Sequence, residues 1–227
     1  AMAADQRATL GQLTRGADGN LYATRFGFGS YGTVVAVPST GSSFNLMGLD
    51  GARRRIGITP TADGKLIDGW FRGGGSGPSG VISELTLGAA GLAGERDLVT
   101  GLSKPAGVAV VGDQLFVSDQ GTGQLLAYSL AAVRAQAAQA QDGRVVASFT
   151  TADGLDLMTA GPDGTLYFGG SGGTLYAVSP KGAVTTLARG WPGIRGVALD
   201  AANRRLFAAV TAAQAGGPAS IRIVPID

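Results

Sequence analysis

Asp156 and Arg195 are the charged residues whose types and places in this sequence could do chemistry together. A carboxylate can act as a general base or a cation ligand, and a guanidinium can polarise a carbonyl or hold an anionic group. Trp191, in the stretch Trp191-Pro192-Gly193, stands close before Arg195. Arg55, Trp70 and Asp119 complete the candidate ligand-binding set. No catalytic role follows from residue type alone, because the sequence has no His and no Cys. That excludes Ser-His-Asp triads, thiol nucleophiles, zinc–thiolate sites and imidazole proton shuttles. The run Gly73-Gly74-Gly75-Ser76-Gly77 lacks the Lys-Ser/Thr of a phosphate loop and opens no helix, so it reads as a flexible hairpin loop. Asp119-Gln120-Gly121-Thr122-Gly123 lacks the carboxylate pattern and the terminal Glu of a calcium loop. The residues by themselves therefore imply no cofactor.

These positions take their meaning from the elements that carry them. The 227 residues are 44% hydrophobic and 15% charged, enough apolar material for a core and too little charge for wholesale disorder. No apolar run approaches the ~20 residues of a membrane helix. The net charge is +2, and the basic residues are scattered apart from Arg53-Arg54-Arg55, so no nucleic-acid partner is expected. Only Lys65, Lys104 and Lys181 are lysines; the other 15 basic residues are Arg, which with abundant Ala and Gly suggests a GC-rich bacterial gene. Ala1-Met2-Ala3 before Ala4-Asp5 can be read as the end of a removed signal peptide, and a periplasmic or secreted monomer is the expectation.

A turn followed by Gly-x-Leu-Tyr, or a close variant, recurs along the chain, with its Leu at 21, 66, 115, 166 and 206. A period of about 40–50 residues built from short strands is the propeller period. The third copy gives strands at 107–111, 114–118, 124–128 and 144–149, and the fourth at 157–160, 165–168, 174–178 and 183–187. The fifth gives 196–199, 205–210 and 220–225, then lacks a strand that 6–10 can supply. The expected fold is all-β, a single-domain β-propeller over 1–227 with five four-stranded blades closed by an N-terminal strand, six blades being the alternative. Ser129–Gln141 is Ala-rich and is expected to be a helical insertion.

Counting seven residues back from each turn Asp, to the start of the first strand, gives Gly11, Ile56, Ala106 and Asp156; Arg195 occupies the matching place in the fifth copy. These positions line the expected central funnel. Trp191 overhangs its rim, and Arg54 and Arg55 lie near the second blade's first strand. The longer loops carry Phe26, Phe28, Trp70 and Phe71, which serve either a ligand or packing between blades. A cup with few convergent polar groups is the form of a small-ligand site.

The stretch from Pro105 to Asp119 and Gly161-Pro162-Asp163-Gly164-Thr165-Leu166-Tyr167 resemble the NHL-repeat and gluconolactonase (senescence-marker-protein-like) propellers. The resemblance implies a divalent cation such as calcium, held in the funnel by a Glu, an Asn and an Asp, and lactone hydrolysis through it. The Asp falls on Asp156, the Asn position on Ala106 and the Glu position on Gly11. Calcium takes six to eight oxygen ligands, so this set is degenerate. The related streptogramin lyases need a His, which is missing, and a strictosidine-synthase-like site needs a funnel Glu where neither Glu84 nor Glu95 stands. The sequence therefore reads as a propeller binding a small molecule, peptide or protein partner on its loop-rich face, with a gluconolactonase-like hydrolase as the alternative.

Overall fold

The computed structural model describes residues 9–74 and 79–226. Five sheets follow one another along the described chain, antiparallel apart from one short parallel pairing. The first is β1 (Leu10–Arg15), β2 (Leu21–Arg25), β3 (Thr33–Val37) and β4 (Phe44–Asn45). The second is β5 (Arg54–Pro60), β6 (Leu66–Phe71), β7 (Gly80–Leu87) and β8 (Ala93–Leu102). The chain continues through β9 (Pro105–Val111), β10 (Gln114–Asp119) and β11 (Gln124–Ser129), then α1 (Leu130–Ala135) and β12 (Ala138–Gln139), to β13 (Arg144–Ser148). The third sheet is β9, β10, β11 and β13, while β12 joins the second sheet. The fourth is β14 (Leu155–Ala160), β15 (Leu166–Gly170), β16 (Leu175–Val178) and β17 (Val184–Ala188). The fifth is β18 (Ile194–Asp200), β19 (Arg205–Val210) and β20 (Ser220–Pro225), three-stranded among the described residues. This is the five-bladed β-propeller that the repeat predicts. Of the segment 6–10 expected to complete the last sheet, residues 6–8 lie outside the described residues and Leu10 opens β1.

The repeated turn has one construction. In the first, second and fourth sheets a backbone N–H at the turn's start (Gly16, Thr61, Gly161) donates to the carbonyl four residues on, and the turn glycine (Gly19, Gly64, Gly164) donates back to that starting residue. Those glycines sit at φ 82°, 82° and 81°, a left-handed conformation that a side chain would strain.

Two compact units divide the chain: 1–105 with 130–142, and 106–129 with 143–227. In the first, Tyr22, Val34 and Ala36 pack against Ile58, Leu66 and Leu85. In the second, Phe116, Leu125 and Ala127 pack against Leu155, Met158 and Phe168, and Tyr167 and Leu175 pack against Ile194, Leu206 and Ala208. Hydroxyls tie successive first strands together. Thr24 Oγ1 receives the Gln12 N–H and donates to the Ile56 carbonyl at 2.5 Å. Ser118 Oγ receives the Gly107 N–H at 2.7 Å and donates to the Asp156 carbonyl at 3.1 Å.

The Ala-rich insertion departs from expectation. Its helix stops at Ala135, because Ala138 and Gln139 pair in parallel with Val99 and Thr100 of β8 and so must be extended. Long-range strand pairing overrides local helix propensity here. The insert belongs to the first unit although the strands flanking it belong to the second. Glu84, its side chain almost fully buried, holds it in place: it accepts hydrogen bonds from Arg134 of α1, from Lys65 at 3.0 Å and from Arg96 at 3.2 Å. Burial alone would raise the Glu84 carboxyl, but the bonds from Lys65 and Arg134 hold it below its ordinary value. Its contribution to stability is therefore present at neutral pH and is lost as pH falls through that lowered value. Glu84→Gln is expected to cost about 1–3 kcal/mol and to speed amide exchange across 130–142, read by urea melts and exchange mass spectrometry. Unchanged exchange in that segment would remove Glu84 as its anchor.

Candidate ligand-binding site

The first strands of four sheets break register near their starts: between Leu10 and Leu13, Arg55 and Ile58, Leu155 and Met158, and Ile194 and Gly196. Bulges of this kind re-aim side chains away from the regular pleat. Gly11, Ile56, Asp156 and Arg195, four of the five positions that the repeat singled out, fall inside these four irregular spans; Ala106, the fifth, lies in β9. Only two of them carry charge, and the structure brings those two together in the second unit. Asp156 Oδ2 accepts from Arg195 Nη1 at 3.0 Å, and Oδ1 accepts the Leu157 N–H at 3.1 Å. The Asp156 side chain is 8% exposed and that of Arg195 is 65% exposed. A buried carboxylate thus tethers a guanidinium by one nitrogen while most of that group meets solvent. The tether gives Arg195 a defined place from which to hold a carbonyl or an oxyanion.

The other candidates are placed differently. Trp191 is half-buried in the connection before β18; its backbone N–H donates to the Gly173 carbonyl at 3.1 Å, and the Arg222 guanidinium lies 4.5 Å over its ring. Asp119 is buried at the end of β10, where its carbonyl receives the N–H groups of Thr122 and Gly123 and closes the turn into β11. Trp70 is buried too: its Nε1 donates to Ser83 Oγ at 2.7 Å, and the Arg53 guanidinium stacks 3.9 Å from its ring.

Arg55, expected near the rim, has no exposed surface. Side chains alternate along a strand, so Arg53 and Arg55 share one side of β5 and Arg54 takes the other. Arg55 bonds to Asp68 through Nη1 and to Glu95 through both terminal nitrogens at 2.9 and 3.0 Å. Arg53 Nη1 reaches Glu95 at 2.9 Å, Asp97 at 2.8 Å and Ser83 at 3.2 Å. Burial, outweighing the Arg55 guanidinium beside it, pushes the Asp68 carboxyl up to about 6. Sequence reasoning missed this ionic cluster. Its signals were the lone acid in Leu66-Ile67-Asp68-Gly69-Trp70-Phe71 and two arginines two residues apart where β5 begins.

No protein-family model matches the chain and no curated protein matches it. Solved structures do. A gluconolactonase from Xanthomonas campestris is 18% identical with a TM-score of 0.72, over 96% of this chain and 72% of that one. A calcium-binding protein, regucalcin, from Agrobacterium tumefaciens is 13% identical with a TM-score of 0.68, over 94% and 78%. Virginiamycin B lyase from Staphylococcus aureus is 14% identical with a TM-score of 0.56, over 98% and 71%. The fold is the gluconolactonase and regucalcin propeller. Identities this low speak for the fold and leave the chemistry to the residues.

The regucalcin among these neighbours is a calcium-binding protein, and the residues present here do not fit a calcium ion. Among the described residues no three acidic side chains group so as to hold a metal. Asp156, the one acid at the strand starts, has both oxygens engaged, one by Arg195 and one by the Leu157 N–H. An arginine at 3.0 Å occupies the electrostatic place a cation would take.

Proposed function

We propose that this chain is a ligand-binding propeller whose second unit takes a small molecule through an anionic or carbonyl oxygen, with Arg195 as the anchor and Asp156 as the group that positions it. The carrying observation is the exposed Arg195 guanidinium held at one nitrogen by a buried carboxylate. The structural likeness to gluconolactonases supports a second reading, a hydrolase acting on lactones. Small hydroxy acids such as gluconate have the chemistry common to both readings.

Calorimetry with gluconate, beside a turnover screen of lactones and aryl esters with calcium added, separates them. Binding is expected in the unaltered protein, weakened about tenfold or more in Arg195→Ala, as for loss of a charge-assisted hydrogen bond. Turnover is expected at the level of the protein-free blank. Hydrolysis that Asp156→Ala abolishes would establish the second reading; gluconate binding unaltered in Arg195→Ala would remove the first.

A further inference from the structure

Four arginines surround the start of β5 and the end of β6 in the first unit, and three spend their charge on acids. Arg53 bonds Glu95 and Asp97, Arg55 bonds Asp68 and Glu95, and Arg72 pairs with Asp50. Arg54 differs: among the described residues it has neither an acid partner nor a hydrogen bond, and rings surround it instead. Its Cζ lies 5.8 Å from the centroid of Phe26, 5.4 Å from that of Phe28 and 5.8 Å from that of Phe71. The rings brace one another edge-on, Phe26 to Phe28 at 5.0 Å and Phe26 to Phe71 at 5.8 Å. Gly73 admits the guanidinium, since a Cβ there would stand 2.3 Å from Cζ. Lys104 Nζ, 5.7 Å from the Phe71 ring, adds a second positive charge.

Rings satisfy the faces of a guanidinium and leave its edge, which carries five N–H donors in one plane. Arg54 is half-buried, and the edge of its guanidinium, which no acidic side chain takes among the described residues, is left for an oxyanion from outside. The neighbouring acids are already engaged, so none competes. Phe28 is 51% exposed and offers a free ring beside the cation. We infer that Arg54, Phe26, Phe28 and Phe71 form a second binding site, for a small organic carboxylate whose body is aromatic or otherwise apolar. A carboxylate matches the planar fork with two parallel hydrogen bonds and one unit of charge, and the exposed Phe28 ring takes the apolar body. A bare phosphate dianion also meets the fork but leaves the Phe28 ring unused. The site lies in the other unit from Arg195 and stands without it.

Phenylacetate, 2-phenylethanol and inorganic phosphate, titrated at constant ionic strength and followed by calorimetry and NMR, test this. Phenylacetate is expected to saturate a site whose NMR shifts centre on Phe28, with the alcohol and phosphate each about tenfold weaker or more there. Arg54→Gln and Phe28→Ala are each expected to weaken phenylacetate about tenfold. Phe28→Ala alters an exposed ring and leaves the thermal melt in place, so it decides the matter even where Arg54→Gln folds poorly. Equal binding of the alcohol would overturn the proposal in favour of an apolar patch, and equal binding of phosphate would reduce it to a bare cation. No saturable phenylacetate binding, or binding untouched by Phe28→Ala, would also overturn it.

Discussion

Replacing Arg55 with methionine is expected to lower the unfolding free energy by about 3–5 kcal/mol at neutral pH, read from urea melts. The side chain has no exposed surface, and neither has its partner Asp68. Among the described residues, removing the guanidinium leaves Asp68 with no cation in bonding distance and Glu95 with Arg53 alone. Methionine fills much of the volume, so the cost is electrostatic rather than a cavity. The double variant Arg55→Met with Asp68→Leu removes both charges, and it is expected to recover most of the loss, because an apolar pair of similar volume escapes the desolvation cost. A single variant within about 1 kcal/mol of the unaltered protein would show that the cluster is dispensable.

The same cluster fixes a pH dependence. The Asp68 carboxyl stands at about 6 in the folded chain because burial penalises its charge more than Arg55 favours it. In the unfolded chain it has its ordinary value of 3.8. The folded state therefore holds the proton more tightly. The contribution of Asp68 is fully present below about pH 4 and is lost as pH rises through 6. Carboxylates such as Asp63, drawn down to about 2 by bonds from Thr61 and Arg134, run the other way, so the whole protein does not isolate the effect. Asp68→Asn does isolate it. The stability of that variant relative to the unaltered protein is expected to climb between about pH 4 and 7, by something on the order of 1–3 kcal/mol, and to level off above. A flat difference across that range would contradict the raised value.

Much of the fold could be read from the repeated turns, and the physical reason is local. Arg205–Val210 and Ser220–Pro225 have the bounds expected of them, since alternating apolar residues between Gly, Asn and Pro specify a short strand without help from afar. Where long-range pairing decides, local reading falls short. Gln136 to Gln141 look helical, yet β12 is drawn into an extended pairing with β8, some 40 residues back. The candidate site divides in the same way. Asp156 could be placed by counting from its turn, and Arg195 by matching Arg195-Gly196-Val197 to Ala106-Gly107-Val108, because both signals are local. Arg55 could not, because its acids come from β6 and β8 and their approach depends on registers such as Asp68 against Ser83 and Ser83 against Asp97. Alternation along β5 also gave Arg54 and Arg55 different surroundings, which the run of three arginines concealed.

Gly107 joins that architecture to the site, and Gly107→Ala is expected to destabilise the protein by about 2–4 kcal/mol. A Cβ at 107 would stand 2.6 Å from the Asp156 carbonyl oxygen and 2.9 Å from both the Met158 nitrogen and Ser118 Oγ. Two of these three atoms are main chain of β14 and cannot swing aside, so the strand itself must move. Its displacement breaks the hydroxyl bridge from Ser118 to the Asp156 carbonyl, and it carries the Asp156 carboxylate with it. Gly196→Ala is the matched control: the nearest atom to its added Cβ is Leu157 Cδ1 at an ordinary 3.5 Å, and a change within about 1 kcal/mol is expected. At a temperature where both variants are folded, gluconate affinity should fall in Gly107→Ala and hold in Gly196→Ala, because only the first shifts the strand that aims Asp156 at Arg195. Equal melting temperatures for the two variants would mean that the close approach of β9 and β14 yields without cost, and the positional argument for Asp156 would lose its footing.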